Sequence, residues 1–288
     1  MNYIDYEGKE IFENTEQDKL LNWLYTHGIG RLILKPLISP AFSRFMGKLL
    51  DTRLSALLVP KFIQYAGIDM SEYKNTHYRS YNDFFTRKIK EGCRPLAGDN
   101  TTLISPSDGR VSAYSITEDT TFSVKNTEYT LRALLRSRRL ANRFRGGYAI
   151  IIRLTVDDYH RYVYAASGQK TKNYFIPGIL HTVNPIANDY APIYKENSRE
   201  FTVIHTKEFG DIIQMEVGAL MVGKITNHHE ESSVYRGNEK GYFEFGGSTI
   251  IVLVKKDRLK IREDFLINTA NDFETKIHQG DALGTQLF

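Results

Sequence analysis

Hydrophobic and polar positions follow two different rhythms along this chain. Between roughly residues 15 and 92, apolar side chains recur at helical spacing. Phe42, Phe45, Met46, Leu49 and Leu50, for example, fall on one face of a 3.6-residue turn. Gly28, Gly30, Pro36, Pro40, Pro60 and Gly67 punctuate the stretch and predict breaks between short helices. After Arg94-Pro95 the pattern turns to β-branched and aromatic runs divided by Gly, Asn and Asp. Segment 147–156 (GYAIIIRLTV) predicts a buried strand, 159–165 (YHRYVYA) another, and 212–225 (IIQMEVGALMVGKI) a pair bent at Gly218. Segment 242–254 (YFEFGGSTIIVLV) reads as strand on both sides of a glycine pair. The tail from Asp257 to Phe288 reads as polar and irregular, apart from Phe265-Leu266-Ile267. No internal repeat and no long linker divides the chain. The expectation is an α+β fold: a helical N-terminal region, 1–92, on a largely antiparallel, β-sandwich-like core, 93–288.

Composition narrows the class. The chain has 288 residues, 41% hydrophobic and 25% charged, an ordinary globular balance. The apolar run 250–254 is strand-sized and far below the roughly 18 to 20 residues of a spanning helix, so no integral membrane protein is expected. Cys93 is the single cysteine, which leaves no internal disulfide and no cysteine cluster for zinc. Asp5, Glu7, Glu10 and Glu13 stand where a secretory signal would carry basic and then apolar residues, and a cytoplasmic location is expected.

The net charge of +4 is too small to argue for nucleic acid, but its distribution is informative. Arg31, Lys35, Arg44, Lys48, Arg53 and Lys61 lie among leucines, isoleucines and phenylalanines, with Asp51 the only acid between them. A basic amphipathic helix of this kind can lie in a membrane interface and meet anionic lipid. The same pattern also suits a helix packed on the protein's own core. A second run, Arg132, Arg136, Arg138, Arg139, Arg143 and Arg145, contains no acid. Phe144 alone interleaves it with an aromatic ring, so an anionic membrane surface fits it better than a nucleic acid.

The common phosphate-loop, dinucleotide, zinc-protease and nucleophile-elbow motifs are absent from the sequence. His228-His229-Glu230-Glu231 reads as a solvated turn, because adjacent side chains point apart, and no metal is expected. Three other segments stand out. Gly246-Gly247-Ser248-Thr249 interrupts an apolar strand pattern, as a β-bulge or as a strained turn beside a nucleophilic hydroxyl. Ser105-Pro106-Ser107-Asp108-Gly109 has the residues of a turn. Asp157-Asp158-Tyr159-His160-Arg161 sets a histidine in a strand-like run, where a structural role is the default. Together they supply Ser, His and Asp, the ingredients for activating a serine hydroxyl.

From about Ser80 onward the sequence resembles the phosphatidylserine decarboxylases, a family made as self-cleaving proenzymes. The resemblance runs through YNDFFTRKIKEGCRPL (81–96), SPSDG (105–109), DDYHRY (157–162), LHTVNPIA (180–187), KENSRE (195–200), VGALMVGKI (217–225) and FGGST (245–249), in order and spacing. It implies that Ser248 Oγ attacks the carbonyl of Gly247 and turns the peptide bond into an ester. Elimination then cuts the chain, and the resulting dehydroalanine hydrolyses with loss of ammonia to a pyruvoyl group. Residues 1–247 become the β subunit and 248–288 the α subunit. The resemblance also implies that Asp108 and a histidine orient and deprotonate Ser248. The pyruvoyl ketone forms a Schiff base with phosphatidylserine, loses carbon dioxide and releases phosphatidylethanolamine. A peripheral site on the cytoplasmic side of the cell membrane and a homodimer are implied as well.

One position departs from the family pattern. Many members carry a second histidine three residues after the first in DYHR, and here that position is Val163. His160 matches the first histidine and is the candidate base; His181 and His205 are alternatives, with His181 also a candidate for lining the substrate site. Two other readings stay open at this level. One is a Ser-His-Asp hydrolase that never cleaves itself, and the other an inactive relative that only docks on anionic lipid.

Overall fold

A computed structural model of the chain describes residues 2–12, 16–124, 127–184, 187–188, 190–220, 224–246 and 248–287. Its centre is a sheet in which β1 (Gly109–Ser115), β2 (Tyr148–Leu154), β4 (Arg199–His205), β5 (Asp211–Val217), β7 (Ser248–Val254) and β8 (Phe273–Ile277) stand in the order β4-β5-β7-β2-β1-β8. Every pair in that order is antiparallel. Two shorter strands, β3 (Arg161–Val163) and β6 (Glu239–Phe243), pair with each other in a separate small sheet that Ile225–Asn227 completes. The expected mixture of N-terminal helices and a mostly antiparallel β body is therefore present.

β5 and β7 are buried along their whole length; β7 carries an unbroken apolar run from Ile250, whereas β5 also buries Gln214 and Glu216. Alternation sends their side chains to two cores. Ile151, Ile213, Met215, Ile251 and Leu253 meet Leu21, Leu24 and Leu34 from the N-terminal helices on one face. Ile150, Ile152, Ile212, Ile250 and Val252 meet Tyr162 and Phe243 of the small sheet on the other. The segment 242–254 is thus not one strand with a bulge: β6 lies in the small sheet and β7 in the central one, and Gly246 between them takes a φ of 126°, backbone that a residue with a Cβ rarely adopts. Gly247, the other half of the pair, lies outside the described residues.

The N-terminal helices are α1 (Glu16–Thr26), α2 (Gly28–Leu37), α3 (Pro40–Leu50), α4 (Val59–Ala66) and α5 (Tyr81–Phe85), with a 3₁₀ segment at Arg53–Leu58. The break expected at Gly28 is present, since α1 ends at Thr26 and α2 begins at Gly28, but Gly30 and Pro36 are not breaks: they lie within the first and last turns of α2. A Cβ on Gly30 would stand 2.7 Å from the Trp23 carbonyl, so this glycine serves the close crossing of α1 and α2. Pro40 opens α3 beside the Ser39 cap, whose hydroxyl accepts from Phe42 N, and Gly67 closes α4 at φ 63°.

Other expectations are corrected in detail. In 212–225 the strand ends at Val217, and another begins only at Ile225, while 221–223 fall outside the described residues. The supposedly irregular tail holds strands at Leu259–Ile261, Phe273–Ile277 and Ala282–Gln286 and a helix at Glu263–Ala270. Residues 2–12 contribute strands Asn2–Ile4, parallel to β8, and Glu10–Phe12. Such three-residue strands are set by their partners rather than by local pattern.

Candidate active site at one end of the central sheet

The strand register builds the site. Ser248 pairs with Leu154, and Gly109 pairs with Ile277 where β1 begins. Val217 pairs with Thr249, so Gly218 follows at the level of Ser248. The first residues of β7 and β1 and the last residue of β2 therefore share one end of the sheet. The three segments singled out in the sequence meet there, because β2 runs directly into Thr155–His160 and Asp108 immediately precedes β1.

Ser248 has the same facing as Leu154 and Ile250, into the core shared with the small sheet. It is fully buried, and its Oγ has no hydrogen-bond partner. His160 enters from the other side of that layer, where its carbonyl accepts from Phe243 N at 3.0 Å. The ring is also fully buried. Nδ1 lies 2.9 Å from the Asp158 carbonyl, which can only accept, so Nδ1 carries the proton and Nε2 presents a lone pair. That Nε2 has no partner. Burial first, and then the Arg87 charge, push His160 from 6.5 down to about 3, so the imidazole is neutral at physiological pH. A neutral imidazole and an unpartnered hydroxyl, both out of water, are what removal of a serine proton needs.

Asp108 stands two strand spacings from Ser248, about 10 Å along the row. Its oxygens are engaged by Arg94, with Nε and Nη2 each at 2.8 Å, and by Gln279 N at 2.7 Å. Those bonds outweigh the opposing effect of burial and hold its carboxyl down at about 2. Its charge reaches His160 through space and favours the protonated ring. The carbonyl of Asp158, not the carboxylate of Asp108, fixes the imidazole. Asp158's own carboxyl accepts from Thr155 N and Oγ1, and burial with the neighbouring Asp157 raises it to about 6.

Several residues position this arrangement without having been assigned roles from sequence. Phe85 lies with its ring centroid 4.1 Å from that of His160, tilted by 39°, and also packs edge-on against Phe245, so one ring walls both the base and the turn before Ser248. Asn82 accepts from Phe245 N and donates to Asp51, linking that turn to the end of α3. Arg87, buried and stacked on Tyr73 and Phe84, donates to the carbonyls of Asp157 and Asp158. Gln279 Nε2 donates to the carbonyls of Pro106 and Arg161 and ties the 105–109 loop to β3. Val163, in place of a second histidine, is buried and donates its N–H to the Pro106 carbonyl.

His278 also stands at this end, its Nδ1 3.8 Å from the Asp108 carboxylate and its ring stacked on Tyr6. The other candidate histidines are elsewhere. His181 is held by the Tyr25 hydroxyl at 3.0 Å and by Glu196 at 3.3 Å, beside the N-terminal helices. Burial lowers its pKa, and Glu196 opposes that shift. His205 pairs with Asp211 at the other end of β4, six residues or about 20 Å along the strand from this end, and cannot reach Ser248. His228 and His229 take separate partners, Glu239 and Tyr164. Among the described residues no three His, Cys, Asp or Glu side chains converge as metal ligands. Gly247, the other side of the expected scissile bond, lies outside the described residues.

Comparison with known proteins gives the family. The family model described as phosphatidylserine decarboxylase matches residues 81–285. The chain is 43% identical over 279 residues to phosphatidylserine decarboxylase proenzyme 2 of Clostridium acetobutylicum, covering 96% of this chain and 95% of that protein. It is 38% identical over 281 residues to the proenzyme of Clostridium novyi, covering 96% and 95%. With a Clostridium botulinum proenzyme the identity is 37% over 291 residues, covering 99% of each.

Proposed function

The chain belongs to the phosphatidylserine decarboxylase family, and from that membership we propose that it is a self-cleaving proenzyme that makes phosphatidylethanolamine from phosphatidylserine on a pyruvoyl group derived from Ser248. The observation that carries the reading is the pair of fully buried, unpartnered atoms, Ser248 Oγ and His160 Nε2, at one end of the sheet. His160 takes the Ser248 proton as the hydroxyl attacks the Gly247 carbonyl. Asp108, kept ionised by Arg94, favours the imidazolium that forms. The bond breaks between residues 247 and 248, leaving a β subunit of 1–247 and an α subunit of 248–288. β7 then heads the small subunit, and its hydrogen bonds to β5 on one side and β2 on the other keep the two pieces together.

The same buried setting suits the group that Ser248 would become. A pyruvoyl carbonyl supplies a Schiff base for the substrate amine and a sink for the electron pair left by carbon dioxide. The chain's part is to exclude water around residue 248, through Phe85, Phe243 and Phe245, and to return a proton after the loss of carbon dioxide. His160 is the candidate for that proton, and His181 remains a candidate for lining the substrate site.

The N-terminal region, 1–92, would dock this body on an anionic membrane surface at its cytoplasmic side. The apolar face of α3 is only partly packed on the protein: Leu50 joins a core cluster, but Phe45 and Leu49 are exposed, as are Leu54 and Leu57 of the 3₁₀ segment at 77% and 73%. Arg44, Lys48, Arg53 and Lys61 flank them. Among the described residues no helix is long and apolar enough to cross a membrane, so the expectation is a peripheral contact.

A carbonyl reagent separates this reading from a serine hydrolase. Phenylhydrazine should abolish conversion of phosphatidylserine, whereas a serine-directed fluorophosphonate should leave it intact. The reverse pattern would favour the hydrolase.

A further inference from the structure

A cleft of ≈ 230 Å³ opens between α3 and the central sheet, with Arg44 and Lys224 at its rim, Phe175, Leu180 and Ile225 on its walls and Gly218 on its floor. We infer that this cleft is the subsite for the phosphodiester of the lipid headgroup, with Arg44 and Lys224 as the phosphate-binding residues. The inference rests on the reading of residue 248 as the reacting position.

Register ties the cleft to that position. Arg199 pairs with Val217 and Val217 with Thr249, so Ser198, Gly218 and Ser248 form the next row outward, on three neighbouring strands. Directly opposite residues of antiparallel strands share a face, so Ser198, Gly218 and Ser248 face the same side. Gly218 is thus one strand spacing, about 5 Å, from residue 248. In a phosphatidylserine headgroup four bonds of about 1.5 Å separate the amine nitrogen from phosphorus, a reach of about 5 Å when extended. An amine at residue 248 therefore leaves its phosphate over Gly218 and the mouth of the cleft. A side chain there would crowd the floor, since a Cβ on Gly218 would stand 3.2 Å from Leu180 and 3.4 Å from the Ser198 carbonyl.

Charge and connection agree. Glu200 also lines the cleft, its carboxylate accepting from Asn227, so two cations, Arg44 and Lys224, stand against one acid there. Lys224 is 63% exposed and its Glu244 partner lies at 3.4 Å, a loose surface pair that a phosphate can displace. Leu180 N donates to the Ile38 carbonyl at the α2–α3 junction, which joins the cleft to the helices with outward apolar faces. Acyl chains leaving the phosphate on that side would run toward the membrane.

The test uses the processed enzyme and dihexanoyl-phosphatidylserine below its micellar concentration, where no membrane surface exists. R44Q and K224Q should each raise KM about tenfold, and together more, with kcat changed less than twofold. Glycerophosphoserine should inhibit the wild type and lose potency in both variants, whereas inorganic phosphate should inhibit neither comparably. K207Q, at the opposite end of the sheet, controls for loss of one positive charge. An unchanged KM for the monomeric lipid would overturn the inference, even if turnover on vesicles fell, because Arg44 would then act only in membrane docking. A kcat effect without a KM effect would overturn it equally. Failure of the wild type itself to split at residue 248 would be seen first, by mass, and would count against the decarboxylase reading rather than the cleft.

Discussion

The helices at the N-terminus and the sheet that follows are about equally rich in leucine and isoleucine, yet they spend those residues in opposite ways. In β2, β5 and β7 the apolar side chains are buried on both faces. In α2, α3 and the 3₁₀ segment after it, Ile29, Leu32, Phe45, Leu54 and Leu57 stand in solvent beside arginines and lysines. Each leucine left exposed forgoes about 1.5–3 kcal/mol that burial would supply. Exposed apolar surface of this extent is characteristic of a binding face. On the proposed reading, one region excludes water from a reaction and the other meets a lipid surface. Asn82, bonded both to Asp51 at the end of α3 and to Phe245 before Ser248, joins the two.

The sharpest way to break the comparison is to disable each region separately. His160→Ala should slow self-cleavage by about 10²–10⁴-fold, the range for loss of a positioned base, as followed by the appearance of two bands over time. Its partition onto anionic vesicles should not change. If vesicle binding fell in parallel, the two regions would not be independent. The converse variant, Leu54→Asp with Leu57→Asp, should lower vesicle affinity by about 100-fold or more, from the apolar area withdrawn from lipid. Cleavage and the melting temperature should stay as in the wild type, because both side chains are already in water. Normal vesicle binding by this double variant would remove the membrane role from the 3₁₀ segment.

A smaller effect probes the sheet side alone. Folding lowers the pKa of His160 from 6.5 to about 3, so between those values the unfolded chain binds a proton that the folded chain refuses. The stability from keeping the ring neutral is complete above pH 6.5 and is lost as pH falls toward 3. Asp158 has the opposite sign. Raised from 3.8 to about 6, it stabilises fully below pH 3.8 and less as pH rises through 6. Urea titrations of Ser248→Ala and Ser248→Ala/His160→Asn isolate the histidine. Between pH 6 and 4 the first should lose about 1 kcal/mol per pH unit relative to the second. Parallel curves would mean that His160 accepts a proton in the fold and is not the sealed base described above.

Much of the sheet was legible because burial on both faces writes unbroken apolar runs, as in 149–152 and 250–254. The tail and the N-terminal strands were not, since a three-residue strand such as Leu259–Ile261 carries no period of its own. Pro36 and Gly30 misled for a related reason. Their local propensity says break, while a helix end and a close helix crossing tolerate or require them. At the site, Asp108, His160 and Ser248 were visible as residue types and are brought to one end of the sheet. Their wiring was not visible. A buried Arg87 looks in sequence like any exposed arginine, and the Arg94–Asp108 pair spans a turn that no periodicity connects. The amphipathic pattern of α3 likewise could not say whether its apolar face looked inward or out. That depends on what else the core already holds.

The most direct measurement is the intact mass of freshly purified protein under denaturing conditions, beside its Ser248→Ala variant. The account predicts two fragments from the wild type, divided between residues 247 and 248, with the smaller lighter by one ammonia than a peptide that begins with a free serine, because elimination removes water from residue 248 and hydrolysis of the dehydroalanine restores it with loss of ammonia. The variant should stay whole. A single uncut wild-type chain, stable over days with His160 and Ser248 in place, would contradict it.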